Sequence, residues 1–162
     1  MLNPSKSYEC IFSLSRSPIP LAPILVDSHP ISRTNSIKYL GVTVENTLRW
    51  SSHISLTVGK LRRLSYYVRK LRQFGAPQSV IHSFVYQCVI PVVLYCSPVI
   101  FPGLLKKDFQ LLRRGIKIIS RVSFIPLTTL LNSLCNSHIQ SCLSFAHKIL
   151  SDQTHPLHPD LV

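Results

Sequence analysis

The pattern of hydrophobic and polar positions changes its period near residue 50. Before it, β-rich runs at residues 10–14 and 39–44 are separated by turn-like, proline-containing stretches at 17–20 and 27–30. We expect two or three short strands in this part. After it, apolar residues recur at intervals of three and four, which predicts helices and a mainly α fold with a small N-terminal β part.

The first predicted helix begins at Ser51 or Ser52, since serine is a favoured N-cap residue. Its apolar stripe consists of Ile54, Val58, Leu61, Leu64, Val68 and Leu71. Gly75 suits the C-cap, where positive φ is common, and Pro77 suits the first turn of the next helix. The pattern predicts a helical hairpin.

The second predicted helix, residues 78–99, is apolar almost all round, and no charged residue occurs from 83 to 105. Two interpretations compete. The stretch is long enough to span a bilayer, but its prolines at 91, 98 and 102 interrupt the backbone hydrogen bonds that hydrocarbon makes obligatory. We favour a helix buried between surface helices.

A third helix is predicted over residues 106–122, with one apolar stripe and one basic side. The stripe consists of Leu105, Phe109, Leu112, Ile116 and Ile119. Pro126 then begins a short helical segment, and residues 137–140 have the form of a capping box before a last helix that ends near Asp152. We divide the chain into a β part (1–50), helices (51–152) and a loose polar tail (153–162).

Composition changes this picture mainly through charge. The 162 residues suffice for one domain, and eighteen Lys and Arg against six Asp and Glu give a net charge of +12. Such an excess attracts polyanions, namely nucleic acid or anionic membrane. Five cysteines, an odd number, with no secretory signal predict reduced thiols in an intracellular protein, cytoplasmic or nuclear.

The acidic residues argue against catalysis by this chain alone. All six lie far apart, whereas two-metal nucleotidyl transfer needs clustered carboxylates. The sequence also has no Gly-rich phosphate loop, His-Glu-x-x-His helix or Gly-x-Ser-x-Gly elbow. We expect no catalytic residues, metal site, cofactor or small-molecule substrate.

Twelve of the eighteen basic residues fall in two blocks, each opposite an apolar stripe. They are Lys60, Arg62, Arg63, Arg69, Lys70 and Arg72, and Lys106, Lys107, Arg113, Arg114, Lys117 and Arg121. A solvated face normally mixes both signs, yet these blocks contain only one acid, Asp108. The pattern favours binding to a phosphate backbone over simple solubility, with Tyr66 and Tyr67 as stacking groups or as core residues.

A possible metal motif is weaker. Cys135, His138 and Cys142 have Cys-x2-His-x3-Cys spacing, with His147 as a distant fourth candidate. Zinc sites usually show two clear ligand pairs, so packed thiols beside a surface histidine are the favoured interpretation.

Several motifs, in this order, resemble the end of the reverse transcriptase of non-LTR (LINE-type) retrotransposons. Those of the palm and primer grip are Leu2-Asn-Pro-Ser-Lys6 with Ile11-Phe-Ser13, and Ile37-Lys-Tyr-Leu-Gly-Val42 with Leu48-Arg-Trp50 and His53-Ile54. Those of the thumb and closing helices are Phe74-Gly-Ala-Pro77, Val93-Leu-Tyr95, Leu111-Leu-Arg-Arg114, Ala146-His-Lys-Ile-Leu150 with Asp152, and His155-Pro-Leu-His158. The similarity covers nearly the whole chain.

The resemblance implies a role for each matching position. Tyr39, Leu40 and Gly41 would form the turn that holds the primer 3′ end, and Lys6 would match the lysine that assists nucleotide addition. The helices from Ser51 would be a thumb that grips RNA or an RNA–DNA hybrid by its phosphates, without reading sequence.

The chain also departs from the family pattern. The Ala-Asp-Asp turn, which binds Mg²⁺ in the parent polymerase, would lie before Met1, so Lys6 has no catalytic partners here. Ser7 replaces the usual threonine, and the chain stops soon after His158. These departures imply a truncated, catalytically incomplete fragment, whose residues 1–50 we expect to be poorly ordered alone because their strand edges are unpaired. The alternatives are a small basic membrane-associated protein that uses residues 83–105, or an interaction bundle without a ligand.

Overall fold

The computed structural model describes residues 7–13, 21–26 and 29–158. It is mainly helical, with 63% helix and 11% strand, and its short strands precede the helical bundle. The predicted fold class is thus confirmed. The Leu2–Lys6 part of the palm motif lies outside the described residues, as do the predicted turn at 17–20 and two residues of the turn at 27–30.

The described residues of the N-terminal part form three separate two-stranded sheets. Its strands are β1 Tyr8–Glu9, β2 Leu25–Val26, β3 His29–Pro30, β4 Ser32–Arg33, β5 Ser36–Tyr39 and β6 Val42–Glu45. β1 pairs with β4 in parallel, whereas β2–β3 and β5–β6 are antiparallel. The prediction of a strand at residues 10–14 is wrong for the described residues 10–13, which are irregular.

The run at residues 39–44 is a hairpin rather than one strand. Leu40 and Gly41 connect β5 to β6 with φ values of 45° and 84°. Two successive positive φ values are typical of the tight hairpin turns whose twist matches that of the strands, and glycine adopts them without steric cost. Val42 then points into the helical core, where it is 9% exposed.

Helix α1 spans Ser51–Gln73, and Trp50 is its N-cap. The predicted serine cap is wrong: no side-chain cap bond forms at this position, and Ser51 instead donates its hydroxyl to Asp108 Oδ2 at 2.8 Å. Glu45 performs the capping, because its Oε1 accepts the Ser52 N–H at 2.7 Å. A carboxylate there satisfies a free N–H and faces the positive end of the helix dipole.

The end of α1 agrees with the sequence. Gly75 has φ of 72°, its N–H donates to Arg72 O, and the Ala76 N–H donates to Leu71 O, both at 3.0 Å. These two bonds make a Schellman motif, which glycine permits at positive φ. The next helix begins at Gln78, as predicted, with Pro77 as its N-cap.

The predicted second helix is broken into pieces. They are α2 Gln78–Phe84, a π-helical turn Val85–Val89, α3 Ile90–Leu94, α4 Ser97–Ile100 and a 3₁₀ turn Phe101–Gly103. The π turn ends two residues before Pro91, whose missing N–H and bulky ring disfavour a regular α turn. Helix α3 ends with Tyr95 as its C-cap, and Cys96, with φ of 54°, is the N-cap of α4. Pro98 lies in the first turn of α4, where it needs no donor.

The expectation that this stretch is buried all round is also wrong. One side faces the core through Ile81, Val85, Val89, Ile90, Val93, Ser97 and Ile100. The other side is exposed and uncharged, with Tyr86, Tyr95 and Val99 on it. Among the described residues no single helix is long and apolar enough to cross a membrane; the bent pair Gln78–Leu94 and Ser97–Gly103 meets that requirement by length and composition, with a 42° bend.

Helix α5 spans Lys106–Ser123, one residue beyond the prediction. Leu112, Ile116 and Ile119 are buried as expected. Leu105 and Phe109 are exposed, however, and Asp108 is buried in their place. The buried side is therefore rotated toward Asp108 and Gly115, because the hydroxyl of Ser51 satisfies the carboxylate and because α1 needs a close approach at the glycine.

Helix α6 spans Leu127–Ser151 without interruption. The predicted separate helices, with a capping box at residues 137–140, are wrong, because no Gly or Pro interrupts this stretch. Its buried residues, Leu130 and Leu134, are both in the first half. The described tail folds back rather than hanging loose, since the His155 and Phe145 rings meet edge to face with centroids 6.2 Å apart.

The core lies where α1, α3, α5 and α6 meet, and α1 and α5 form its most extensive contact. These two helices run parallel. Ser51 contacts Asp108 near their N-termini, and Arg72 contacts Val122 near their C-termini. Between these points Gly115 faces Leu61, and the absence of a side chain at Gly115 lets the backbones approach.

Candidate nucleic-acid interface

Two groups of cations lie on the parallel helices α1 and α5. The first basic face consists of Lys60, Arg62, Arg63, Arg69, Lys70 and Arg72 on α1, all exposed except the half-buried Lys70. The second basic face consists of Lys106, Lys107, Arg113, Arg114, Lys117 and Arg121 on α5, all exposed. Each helix packs its apolar side into the shared core, so both faces point to solvent.

The C-terminal ends of the two faces are joined directly. Arg72 donates from Nη1 to the carbonyl of Val122 at 3.3 Å, and its guanidinium lies 3.7 Å from the centre of the Phe124 ring. The stacking geometry is that of a cation–π contact. It orders one arginine of the first face against the end of the helix that carries the second.

These cations are not neutralised by nearby acids. Within residues 7–13, 21–26 and 29–158 the ion pair formed is Arg33 with Glu9, 2.9 Å apart and in the strand region. Two described carboxylates that contact these helices form hydrogen bonds of their own: Glu45 caps α1, and Asp108 is buried against Ser51. The repulsion within each face is thus left for a partner or for salt to relieve.

Tyr66 and Tyr67 lie on the first basic face rather than in the core. They are 53% and 54% exposed, and their rings pack edge to face with centroids 5.7 Å apart. The Lys70 ammonium lies 5.8 Å from the Tyr66 ring centre. Of the two interpretations of these tyrosines, the structure supports exposed rings available for stacking, not core residues.

The hairpin tip exposes two of its three predicted residues as apolar side chains. Tyr39 is 67% and Leu40 74% exposed. The tip is nonetheless held in place, because the Tyr95 hydroxyl donates a hydrogen bond to the Leu40 carbonyl. The Tyr95 ring also lies 3.5 Å from where a Cβ would stand on Gly41, so the ring fits against the bare glycine backbone. The turn is thereby anchored beyond the end of α3.

A cleft on the second basic face contains three of its cations. It has a volume of about 420 Å³ and is lined by Gln110, Arg113, Arg114, Lys117 and the α6 residue Leu127. No carboxylate is among these lining residues. The cleft offers guanidinium and ammonium donors on one side, a composition that suits phosphate oxygens.

The Cys-x2-His-x3-Cys residues do not converge on a metal position. His138 Nδ1 lies 3.0 Å from the hydroxyl of the buried Ser97, and its ring packs against Phe101. Cys142 Sγ lies 3.7 Å from His138 Nε2, whereas Cys135 is exposed. In the described part of the chain no group of three His, Cys, Asp or Glu side chains is positioned to hold a metal ion.

The described carboxylates likewise do not fit the Mg²⁺ site of a polymerase. Glu9 pairs with Arg33, Glu45 binds the start of α1, Asp108 is bonded to Ser51, and Asp152 accepts from Thr154. Each belongs to a different element. Two-metal catalysis needs carboxylates that share one pair of ions, which this arrangement does not provide.

The residues that sequence reasoning missed are those that support the site from other elements. Glu45 and Tyr95 bond partners 7 and 55 positions away, and Asp108 bonds a partner 57 away. Lys38 and His53 border a cavity beneath the hairpin. Periodicity identifies only neighbours within one element. For Glu45, the sequence offered one indication of a capping role, namely a carboxylate shortly before a predicted helix start.

The chain matches no protein-family model, no curated protein and no solved structure.

Proposed function

We propose that this chain is a catalytically incomplete part of a non-LTR retrotransposon reverse transcriptase, corresponding to its primer grip and thumb. In this proposal it binds the backbone of RNA or of an RNA–DNA hybrid without reading sequence. The observation that carries the proposal is the pair of basic faces on parallel, contacting helices, whose twelve cations make no ion pair among the described residues.

Physical considerations favour a phosphate backbone as the partner. Like charges on adjacent turns destabilise a helix. Because these faces contain almost no acids, binding of a polyanion would relieve this repulsion and stabilise the helices. Arginine and lysine contacts to phosphates carry no sequence information, and the exposed Tyr66 and Tyr67 rings offer stacking surfaces that accept any base. The exposed, anchored tip at Tyr39 and Leu40 suits contact with the end of a strand.

A salt titration tests the proposal. Fluorescence anisotropy would measure the affinity for a labelled RNA–DNA hybrid and for a second hybrid of scrambled sequence. Engagement of four to six phosphates predicts a slope of log K against log salt of about −3 to −5, equal for both sequences. A flat slope, or a strong preference for one sequence, would contradict the proposal.

Variants locate the contacts. Replacing Arg113, Arg114 and Lys117 together by glutamine removes three cations of one cleft, and we expect the slope to become shallower by about 2 to 3. Lys148→Gln is the matched control, since it removes an exposed cation from α6, outside both faces, and should leave the slope unchanged. An unchanged slope in the triple variant would place the binding surface elsewhere.

One observation favours a second candidate, a membrane-associated protein. The bent pair Gln78–Leu94 and Ser97–Gly103 has the length and composition of a broken span, and one side of it is uncharged and exposed. In that case both basic faces would contact anionic lipid. Flotation with phosphatidylserine vesicles that resists carbonate extraction would support this candidate, whereas recovery of the chain only in the dense fractions would refute it.

A further inference from the structure

A cavity beneath the hairpin formed by β5 and β6 has a distinctive lining. Its volume is about 220 Å³, and it lies between the hairpin and the first half of α1. Its polar lining consists of Lys38, Thr43, His53, Thr57, Lys60 and Arg63. Three basic residues and two threonines thus line one space, and no carboxylate is among the described residues that line it.

The cations come from two elements held together by the fold. Lys60 and Arg63 are one helical turn apart on α1, and Lys38 reaches the same cavity from β5. The two elements are tied by the backbone N–H of Thr43, which donates to His53 Nδ1 at 3.3 Å. In the neutral ring the proton therefore sits on Nε2, which makes that nitrogen a donor.

His53 stays neutral in this setting. Burial, and then the positive charge of Lys60, lower the pKa of His53 below its ordinary value of 6.5. The ring therefore keeps Nδ1 as an acceptor for the hairpin near neutral pH and does not add a fourth charge. An anion placed beside Lys60 would oppose part of this shift.

A second cavity continues from the first and differs from it in chemistry. It has a volume of about 340 Å³ and shares Gly41, His53, Thr57 and Lys60 with the first. Its remaining walls are Pro91, Val92 and Tyr95, which are apolar or aromatic. Because the Tyr95 hydroxyl bonds the Leu40 carbonyl, the ring has a fixed orientation. The combined cleft has a cationic end and an apolar end.

The number of cations indicates the class of anion. A phosphodiester within a strand carries one negative charge, whereas a phosphomonoester carries about −1.5 to −2 near neutral pH and has three acceptor oxygens. Three converging cations match the monoester better. The apolar end then suits the planar base attached to such a phosphate, by stacking or hydrophobic contact.

We propose that this cleft binds a terminal nucleotide through its phosphomonoester. The phosphate lies among Lys38, Lys60 and Arg63, and the base lies against Pro91, Val92 and Tyr95. The inference rests on the proposed function only in naming the phosphorylated end of a strand as one source of this group. A free mononucleotide is the other source.

The test compares two short RNA strands of identical sequence, labelled at the 3′ end, one with a 5′-phosphate and one with a 5′-hydroxyl. Anisotropy titration of the intact chain should show binding of the phosphorylated strand that is tighter by about tenfold or more, since charge-assisted hydrogen bonds are lost with the phosphate. Equal affinity for the two strands would overturn the inference. A steep salt slope in the same experiment would leave the proposed function intact.

Variants place the preference in the cleft. Lys38→Gln should reduce the ratio of the two affinities at least threefold, because one charge-assisted contact to the phosphate is lost. Lys38→Arg keeps the positive charge and should retain the ratio. Lys107→Gln is the matched control on α5: it should weaken both strands equally and keep the ratio. A ratio unchanged in Lys38→Gln, with helix content intact by circular dichroism, would refute the location.

Competition separates the two sources. If AMP displaces the phosphorylated strand and adenosine does not, the result would support the cleft as a site for a free nucleotide. If the 5′-phosphorylated strand still binds more tightly and AMP does not displace it, the result would support the cleft as a site for strand ends. If neither RNA binds but AMP perturbs the His53 resonances, the cleft stands and the proposed function fails. If AMP and adenosine compete equally, the phosphate is not recognised and the inference is wrong.

Discussion

Gly115 provides the sharpest test of the arrangement that brings the two basic faces together. A Cβ at this position would lie 3.0 Å from Leu61 Cδ1 and 3.6 Å from both methyl groups of Val58. Carbon atoms favour separations of about 3.5 to 4.0 Å. Leu61 and Val58 are 1% and 4% exposed, so neither can move aside into solvent.

Gly115→Val therefore introduces atoms into a filled space. Overpacking of a core lowers the free energy of unfolding by about 1 to 3 kcal/mol. The higher helix propensity of valine relative to glycine raises it by only about 0.3 kcal/mol. We expect the free energy of unfolding to fall by about 1 to 2 kcal/mol. Gly59→Val is the matched control, because Gly59 is also helical and a Cβ there meets nothing within 4 Å; its effect should be below about 0.5 kcal/mol.

Urea unfolding followed by circular dichroism measures both variants. The prediction is a lower midpoint for Gly115→Val at an unchanged m-value, with Gly59→Val close to the parent chain. Gly115→Val should also weaken hybrid binding, because forcing the helices apart separates the basic faces. Equal stability of the two variants would show that α1 and α5 do not approach at Gly115, and the parallel packing would then be wrong.

Three further predictions concern the short strands and the start of α1. Glu45→Ala should lower the free energy of unfolding by about 1 kcal/mol in urea titrations, because the start of α1 loses both a hydrogen-bond acceptor and a negative charge; an unchanged midpoint would contradict the bond to Ser52. Since the pKa of His53 is lowered in the folded chain, its contribution to stability is present above pH 6.5 and is lost as the pH falls, when the unfolded chain takes up the proton first. His53→Gln should accordingly reduce the loss of stability between about pH 7.5 and about pH 5.5, and an identical loss would refute that role. Amides of β2 and β3 should exchange with solvent much faster than those of α1, and equal protection by hydrogen-exchange mass spectrometry would show that the short strands are as stable as the helix.

The elements with a strong local signal were predictable. Helices α1 and α5 begin and end within one residue or so of their predicted bounds, since an apolar stripe, Gly75 and the basic blocks all act within a few turns. The exposure of the basic residues on both faces was also predictable from the sequence, because charged side chains stay in water unless they are paired. The break at Cys96 was not predicted, because it depends on how the fold accommodates Pro91 and Pro98. The unbroken α6 was not predicted either, because the capping-box pattern at residues 137–140 does not end the helix.

Local patterns in the sequence are enough to predict the mainly helical class and the two basic faces, because propensity, charge and periodicity are properties of neighbouring residues. Tertiary structure decided how these parts combine. It buried Asp108 against Ser51, placed Glu45 at the start of α1, anchored Leu40 through Tyr95 and brought Lys38 to the same cavity as Lys60. Such contacts join residues far apart in the chain, and their partners are selected by packing geometry that no local pattern contains.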